Sequence, residues 1–354
     1  MLSRTHIVGA AVCALAVPAL PGGVLAQAEF TFTLEHVLPA ASPAQRNMLE
    51  PWVQAVEEDS GGRIDIEIIP TVGLEAGAPP RVLVSHVRDG IADIVWTVNG
   101  YTPEVFPRTE VFELPGVFNG DLTATNLAMR DIFDEYLAEE YPGVKVIVLH
   151  VHGGQGIQMK NKLVRSPADL AGTRLRIPTR TGSWVIEALG ADPLQTGVGE
   201  IVQRLETNEI DGALIPWEII PAFGIQNQTK YQIEGPDHER LGTTTFQISM
   251  NLDSYNSLPD DLKAVIDENS GEEFARMVAE VWRGAEDVGI NIALTDANDS
   301  DPNELIVLTE EEMQAFREVL APVDQRWIDD VTARGIDGQA LYEAAKAAIA
   351  KHTM

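Results

Sequence analysis

From Phe30 to Val151 the chain alternates short apolar runs with amphipathic stretches, and this alternation narrows the possible folds more than any other feature of the sequence. Phe30 to Val37, Ile64 to Pro70, Ile91 to Val98 and Val144 to Val151 have the length and β-branched content of strands. Between them, Gln45 to Asp59, Pro80 to Asp89 and Leu122 to Glu139 carry apolar residues at helical spacing. Strands separated by helices pair mostly in parallel, because each crossover must return the chain along the sheet, and the helices then cover both faces. The pattern predicts a first lobe of α/β class.

A second lobe begins near His152. Gly156 to Lys160, Arg174 to Pro178 and Ile210 to Pro216 read as strands, and Gly182 to Leu189 and Glu200 to Asn208 as helices. Thr243 to Asn251 then alternates as a strand, Pro259 to Gly289 forms one long acidic helix able to pass between the lobes, and Glu310 to Arg334 and Gln339 to His352 close the chain as helices. No repeat and no flexible Gly/Ser linker separates the halves. The lobes are therefore expected to exchange segments, with 29–151 plus 241–280 in one and 152–240 plus 281–354 in the other. Such a joint is a hinge around a cleft.

At the N-terminus, Arg4, the apolar stretch Ile7 to Leu20 and the small residues ending Ala26-Gln-Ala28 have the order of a secretory signal peptide, cleaved after Ala28. Cleavage leaves 326 of the 354 residues and, since the leader carries Arg4 and no acid, moves the formal charge from -29 to -30. No later segment is apolar for long enough to span a bilayer, so direct membrane insertion is not expected. So acidic a protein is a poor partner for nucleic acid or anionic lipid. Cys13 lies inside the leader, so the mature chain has no disulfide, thiolate nucleophile or cysteine metal site. Export and two soluble lobes point to the periplasm of a Gram-negative cell.

Catalytic signatures are missing. There is no Gly-x-Ser-x-Gly elbow and no Walker loop, and Gly153, Gly154 and Gly156 lack the spacing and the lysine that would cradle phosphate. His150 and His152 sit two apart, yet no third ligand stands at a telling spacing, so neither a metal nor a cofactor is expected. Runs such as Thr309-Glu-Glu-Glu312 read as solvated helix starts. Trp52, Phe133, Phe274, Trp282, Phe316 and Trp327 lie in amphipathic helices and read as core. Trp96, Tyr101, Trp184, Trp217 and Phe246 fall at strand ends or helix starts, where doubly wound sheets hold ligands.

One cation stands out. With 25 Lys+Arg against 54 Asp+Glu the protein has no general attraction for acids, so any bound anion needs a local, preorganised partner. Arg176, in Ala171-Gly-Thr-Arg-Leu-Arg-Ile-Pro178, sits in a short apolar strand and offers a planar fork that matches two carboxylate oxygens. Arg174 and Arg180 are expected to form structural ion pairs instead.

The order of motifs resembles the DctP-type solute-binding proteins of TRAP transporters. It is carried by Gly62-Arg-Ile-Asp-Ile-Glu-Ile-Ile-Pro70, Val87-Arg-Asp-Gly-Ile-Ala-Asp-Ile94, Phe106-Pro107 with Phe112-Glu-Leu-Pro115, and Ser166-Pro-Ala-Asp-Leu-Ala-Gly-Thr-Arg-Leu-Arg-Ile-Pro178. Ala188-Leu-Gly-Ala-Asp-Pro193, Gly199-Glu200 and Leu205-Glu-Thr-Asn-Glu-Ile-Asp-Gly212 continue it. The resemblance implies a two-lobed α/β fold of the type II periplasmic-binding-protein kind with a hinge-spanning helix. It also implies a receptor that closes over a small organic acid and delivers it to TRAP membrane permease subunits. In that family the arginine of the Gly-Leu-Lys-Ile-Arg-Val-Pro pattern pairs with the ligand carboxylate, and by position it corresponds to Arg176.

Two departures bear on the ligand. Where many dicarboxylate and sialic-acid receptors have Asp-Gly-Gln-Glu-Asn-Pro, this chain has Asp211-Gly-Ala-Leu-Ile-Pro216, so Ile215 replaces a gripping amide. A second arginine found in some members just after the lobe junction is absent here, its place falling near Gly156, with Gln155 and Gln158 close by. The expected ligand is thus a monocarboxylate with an apolar or aromatic body. Arg176 would take the carboxylate, Trp217, Trp96 and Phe246 would supply faces, Gln155, Asn99 and Tyr101 hydrogen bonds, and Ile215 with Val198 would exclude hydroxylated sugar acids. An exported carboxylate-processing enzyme and a ligand-sensing subunit of a signalling system remain open at this point.

Overall fold

The computed structural model describes residues 28–72, 81–295 and 302–353, so the expected leader lies outside the described residues apart from Ala28. β1 (Phe30–His36), α1 (Glu50–Asp59), β2 (Ile64–Ile69), α2 (Val82–Arg88), β3 (Ile94–Val98), α3 (Leu122–Asp131) and β4 (Val144–Val151) follow the predicted alternation. β5 (Gly156–Met159), β6 (Arg174–Ile177), α4 (Arg180–Ala188), β7 (Asp192–Gln195), α5 (Ile201–Glu206), β8 (Gly212–Ile215), α6 (Ile220–Phe223) and β9 (Tyr231–Glu234) come next. The chain then returns through β10 (Thr245–Asn251), α7 (Leu252–Ser257), α8 (Asp260–Glu268), α9 (Glu272–Thr295), β11 (Glu304–Val307), α10 (Glu310–Ala333) and α11 (Gly338–His352).

Two sheets result, ordered β2-β1-β3-β10-β4 and β11-β9-β5-β8-β6-β7. β1, β2 and β3 pair in parallel, and β10 inserts antiparallel between β3 and β4. All seven residues of β10 are buried, as a central strand covered on both faces requires, whereas β1 alternates in burial. In the second sheet β6 runs parallel to both β7 and β8, and β5 is antiparallel to β8 and β9. Side-chain caps start the helices that matter below. Thr179 accepts from the Gly182 amide at the head of α4, and Thr309 forms a capping box with Glu312 at the head of α10.

The predicted helix over Pro259 to Gly289 is two helices, divided at Asn269-Ser270-Gly271. The second of them, α9, packs on α3 and β4 from one side and on α6 and the turn Trp217–Ile219 from the other, so it touches the surroundings of both sheets. The helix expected from Leu122 to Glu139 stays α-helical only to Asp131 and then widens into a π-turn over Phe133–Leu137. α10 packs along α4, and α11 crosses back onto α3. No helix among the described residues is long and apolar enough to cross a membrane.

Candidate functional site

The ends of strands from both sheets enclose a cavity of about 60 Å³, room for a few water-sized spheres or one small guest. Trp96 and Val98 come from the C-terminal half of β3, and Phe246 faces Val98 in register across β10. Arg176 comes from β6, and Ile215 is the last residue of β8. The segment linking the sheets adds His152 and Gln155. Both sheets thus present the carboxyl ends of their parallel strands to one space, the position at which open α/β sheets hold ligands.

Arg176 is 2 % exposed. Its Nε donates to the Thr196 carbonyl at 3.0 Å, and the Tyr101 hydroxyl sits beside the guanidinium. Among the described residues no carboxylate forms an ion pair with it. Burial lowers its pKa, partly offset by Tyr101, whose own hydroxyl is pushed up by burial. A guanidinium stays protonated under any such shift, so a full charge sits in an apolar space with no counter-charge from the protein. A carboxylate guest would neutralise it.

The walls are aromatic. Trp96 and Phe246 lie parallel, with centroids 5.3 Å apart and planes 1° apart, and Trp282 of α9 stacks on both at 6.0 and 5.7 Å. Behind them the Trp96 indole N–H donates to His150 Nε2 at 2.9 Å. An imidazole that accepts at Nε2 is neutral there, and burial pushes His150 down to about 3. His152, also pushed down to about 3 by burial, accepts the Gly154 amide at Nδ1 at 2.9 Å. Gln155 Nε2 lies 2.8 Å from Thr244 Oγ1 and 3.2 Å from His152 Nε2, while its Oε1 is buried without a partner.

Of the residues singled out from sequence, Arg176, Gln155, Trp96, Tyr101, Phe246 and Ile215 line this one cavity. Trp217 and Asn99 do not. The Trp217 indole turns the other way, its N–H donating to Glu234 Oε2 at 3.1 Å, because the short helical turn Trp217–Ile219 presents Glu218 and Ile219 to the cavity instead. Asn99 is consumed in a buried network, donating to the Tyr141 hydroxyl at 3.2 Å and accepting from Gln247 Nε2 at 2.7 Å. Arg174 pairs with Asp211 and Arg180 with Glu110 and Asp330, the structural roles expected of them. His152, Glu218 and Trp282 line the cavity without having been singled out for it. Trp282 sits at helical spacing and packs like core; only its meeting with Trp96 across the fold sets it apart.

Among the described residues no cluster of three or more His, Cys, Asp or Glu could hold a metal ion. What the arrangement can do is hold a carboxylate at one point and a flat apolar body against stacked rings.

The profile of the bacterial extracellular solute-binding protein family 7, DctP, matches residues 34–330. A marine metagenome TRAP solute binding protein, described as specific for aromatic acid ligands and solved with metahydroxyphenylacetate, is 33 % identical with a TM-score of 0.86, covering 92 % of this chain and 100 % of its own. A TRAP solute binding protein from Rhodoferax ferrireducens, solved with copurified benzoate, is 34 % identical with a TM-score of 0.85, covering 91 % of this chain and 98 % of its own. The ectoine/5-hydroxyectoine-binding periplasmic protein UehA of Ruegeria pomeroyi is 24 % identical over 343 residues, 94 % of each chain. The buried arginine at the strand end, the two sheets around it and the match along most of the chain agree: this protein belongs to the DctP family of bacterial extracellular solute-binding proteins.

Proposed function

We propose that the chain is the periplasmic receptor of a TRAP transporter, and that it closes over an aromatic monocarboxylate and delivers it to the membrane permease. The observation that carries this is Arg176, buried among aromatic rings with no carboxylate of the protein against it. The carboxylate would lie on the guanidinium fork, and the ring would lie against Trp96, Phe246 and Trp282. Ile215 and Val198 offer no hydrogen bonds, so a sugar acid would leave hydroxyls unpaired there. Binding of aromatic acids by the two relatives at 33 and 34 % identity supports the same class of ligand.

The lobes would move as bodies drawn from 29–151 plus 241–280 and from 152–240 plus 281–354, with α11 reaching back onto α3 as a strap. Contacts between these stretches would hold a closed form. The Arg180 guanidinium meets the buried carboxylate of Glu110, and Thr181 Oγ1 donates to Glu113 Oε2 at 2.6 Å. Within the first body, the other oxygen of Glu113 accepts from the amide and hydroxyl of Thr245 at 3.0 and 2.9 Å, which fixes the carboxylate that Thr181 reaches. Ligand contacts made only in the closed form would shift an existing equilibrium, and no bond in the guest need change.

Calorimetric titration of the mature protein with benzoate, phenylacetate, succinate and glucuronate tests the reading. Tight binding of the first two with full recovery of unchanged ligand is expected. Submicromolar binding of only succinate or glucuronate would refute it.

A further inference from the structure

Glu218 lines the same cavity as Arg176 and is 2 % exposed, yet neither of its carboxyl oxygens has a hydrogen-bond partner. His152 Nδ1, 3.8 Å from one of them, already accepts the Gly154 amide and so carries no proton to offer. One other polar atom on a cavity-lining side chain is buried and unpartnered, the indole N–H of Trp282. Buried polar atoms in folded proteins are almost always paired, so orphans of both kinds around one space mark where a guest's polar groups go.

We propose that Glu218 is the second polar contact of this cavity and selects aromatic acids that carry a hydroxyl in addition to their carboxylate. The inference rests on the reading of the chain as an aromatic-acid receptor and goes beyond it by naming the substituent and the residue that reads it.

The chemistry favours a hydroxyl over the alternatives. A hydroxyl donates one hydrogen bond and accepts others, which suits a carboxyl group beside an indole N–H. A second carboxylate would need a second free cation. The other buried guanidinium nearby, Arg240, is already held by Glu234 at 2.8 Å and Glu286 at 2.6 Å. An ammonium would need an ionised Glu218, and burial together with the neighbouring Glu286 raises that carboxyl well above its ordinary range, against smaller opposing pulls from its own backbone amide and from Arg240, which favours the neutral form. A neutral carboxyl group is both donor and acceptor.

The backbone fixes where Glu218 points. Gly289 of α9 packs so tightly on the turn that a Cβ there would stand 2.2 Å from the Trp217 carbonyl oxygen and 3.0 Å from the Glu218 nitrogen. The preorganised turn lets a missing hydroxyl go uncompensated, and sites of that kind discriminate strongly.

The test is calorimetry on the mature protein and its Glu218→Leu and Glu218→Gln variants, with benzoate, the three monohydroxybenzoates and 4-aminomethylbenzoate as probes. At least one hydroxybenzoate is expected to bind the unmodified protein roughly tenfold or more tighter than benzoate. Glu218→Leu should erase that preference, read as the ratio of hydroxybenzoate to benzoate affinity in the same variant, and Glu218→Gln, which still donates and accepts, should keep part of it. Equal affinity for benzoate and every hydroxybenzoate overturns the inference alone, as does a preference that survives Glu218→Leu. Strongest binding of the aminomethyl acid overturns it in favour of an ionised Glu218 reading a cation. Failure of every benzoate to bind sinks the aromatic-acid reading and this inference together.

Discussion

Arg176 and Arg240 are buried to a similar degree in neighbouring regions, and the protein treats their charges in opposite ways. The Arg240 side chain, at the joint between the sheets, lies against Glu234 and Glu286 and packs over Gly154. Arg176, at the end of β6, meets only a carbonyl and a tyrosine hydroxyl. A buried cation with carboxylates around it is a structural element, whereas one without them is unfinished until an anion arrives. The contrast separates joint from candidate binding site without reference to any relative.

Removing the charge at the joint should have the larger effect. Arg240→Leu strands Glu234 and Glu286, and breaking a buried pair costs about 3–5 kcal/mol of folding stability, read by chemical denaturation without ligand. Stability equal to the unmodified protein would break the comparison. Arg176→Leu should leave unliganded stability unchanged or raised, since no partner is stranded, while the affinity for benzoate falls by about 3 kcal/mol, more than a hundredfold. Arg176→Lys keeps the charge but loses the fork, so its affinity should fall between the two.

A pH series sharpens the cavity side. The unfolded chain releases the Glu218 proton near its ordinary value of 4.5, and the folded protein keeps it because of burial and Glu286. Above that pH the unfolded state holds fewer protons than the folded one, so this residue's contribution to stability falls as pH rises. Glutamine has no such proton. Glu218→Gln should therefore gain on the unmodified protein as the pH rises from 5 to 7, measured as the difference in unfolding free energy. A gap that does not widen with pH would mean that Glu218 is ionised in the fold. Smallest of all, Arg174→Ala removes a half-exposed pair with Asp211 and should change stability by at most about 1 kcal/mol and benzoate affinity not at all.

Much of this was legible in the chain. β1 to β6, β8 and β10 fall where hydrophobic period and β-branched runs put them, and Arg176 stood out as a cation inside an apolar strand of an acidic protein. What escaped has physical causes. β7, β9 and β11 are four-residue strands at or next to the edges of the second sheet; Pro193 interrupts the first, and the pairing partners of the other two are distant in sequence. The break between α8 and α9 depends on Asn269-Ser270-Gly271, which a continuous apolar period passes over. Trp217 and Glu218 are adjacent, and which of them meets the cavity is decided by how closely α9 approaches at Gly289, a contact that no local pattern records. Asn99 looked like a ligand hydrogen bond because its partners, Tyr141 and Gln247, are 42 and 148 residues away.

The most direct measurement of the central claim is a crystal structure of the mature protein with benzoate. The carboxylate should lie in the cavity with both oxygens about 3 Å from the Arg176 guanidinium, and the ring should lie against Trp96, Phe246 and Trp282. A carboxylate bound away from Arg176, with that guanidinium paired to a protein acid instead, would contradict the account.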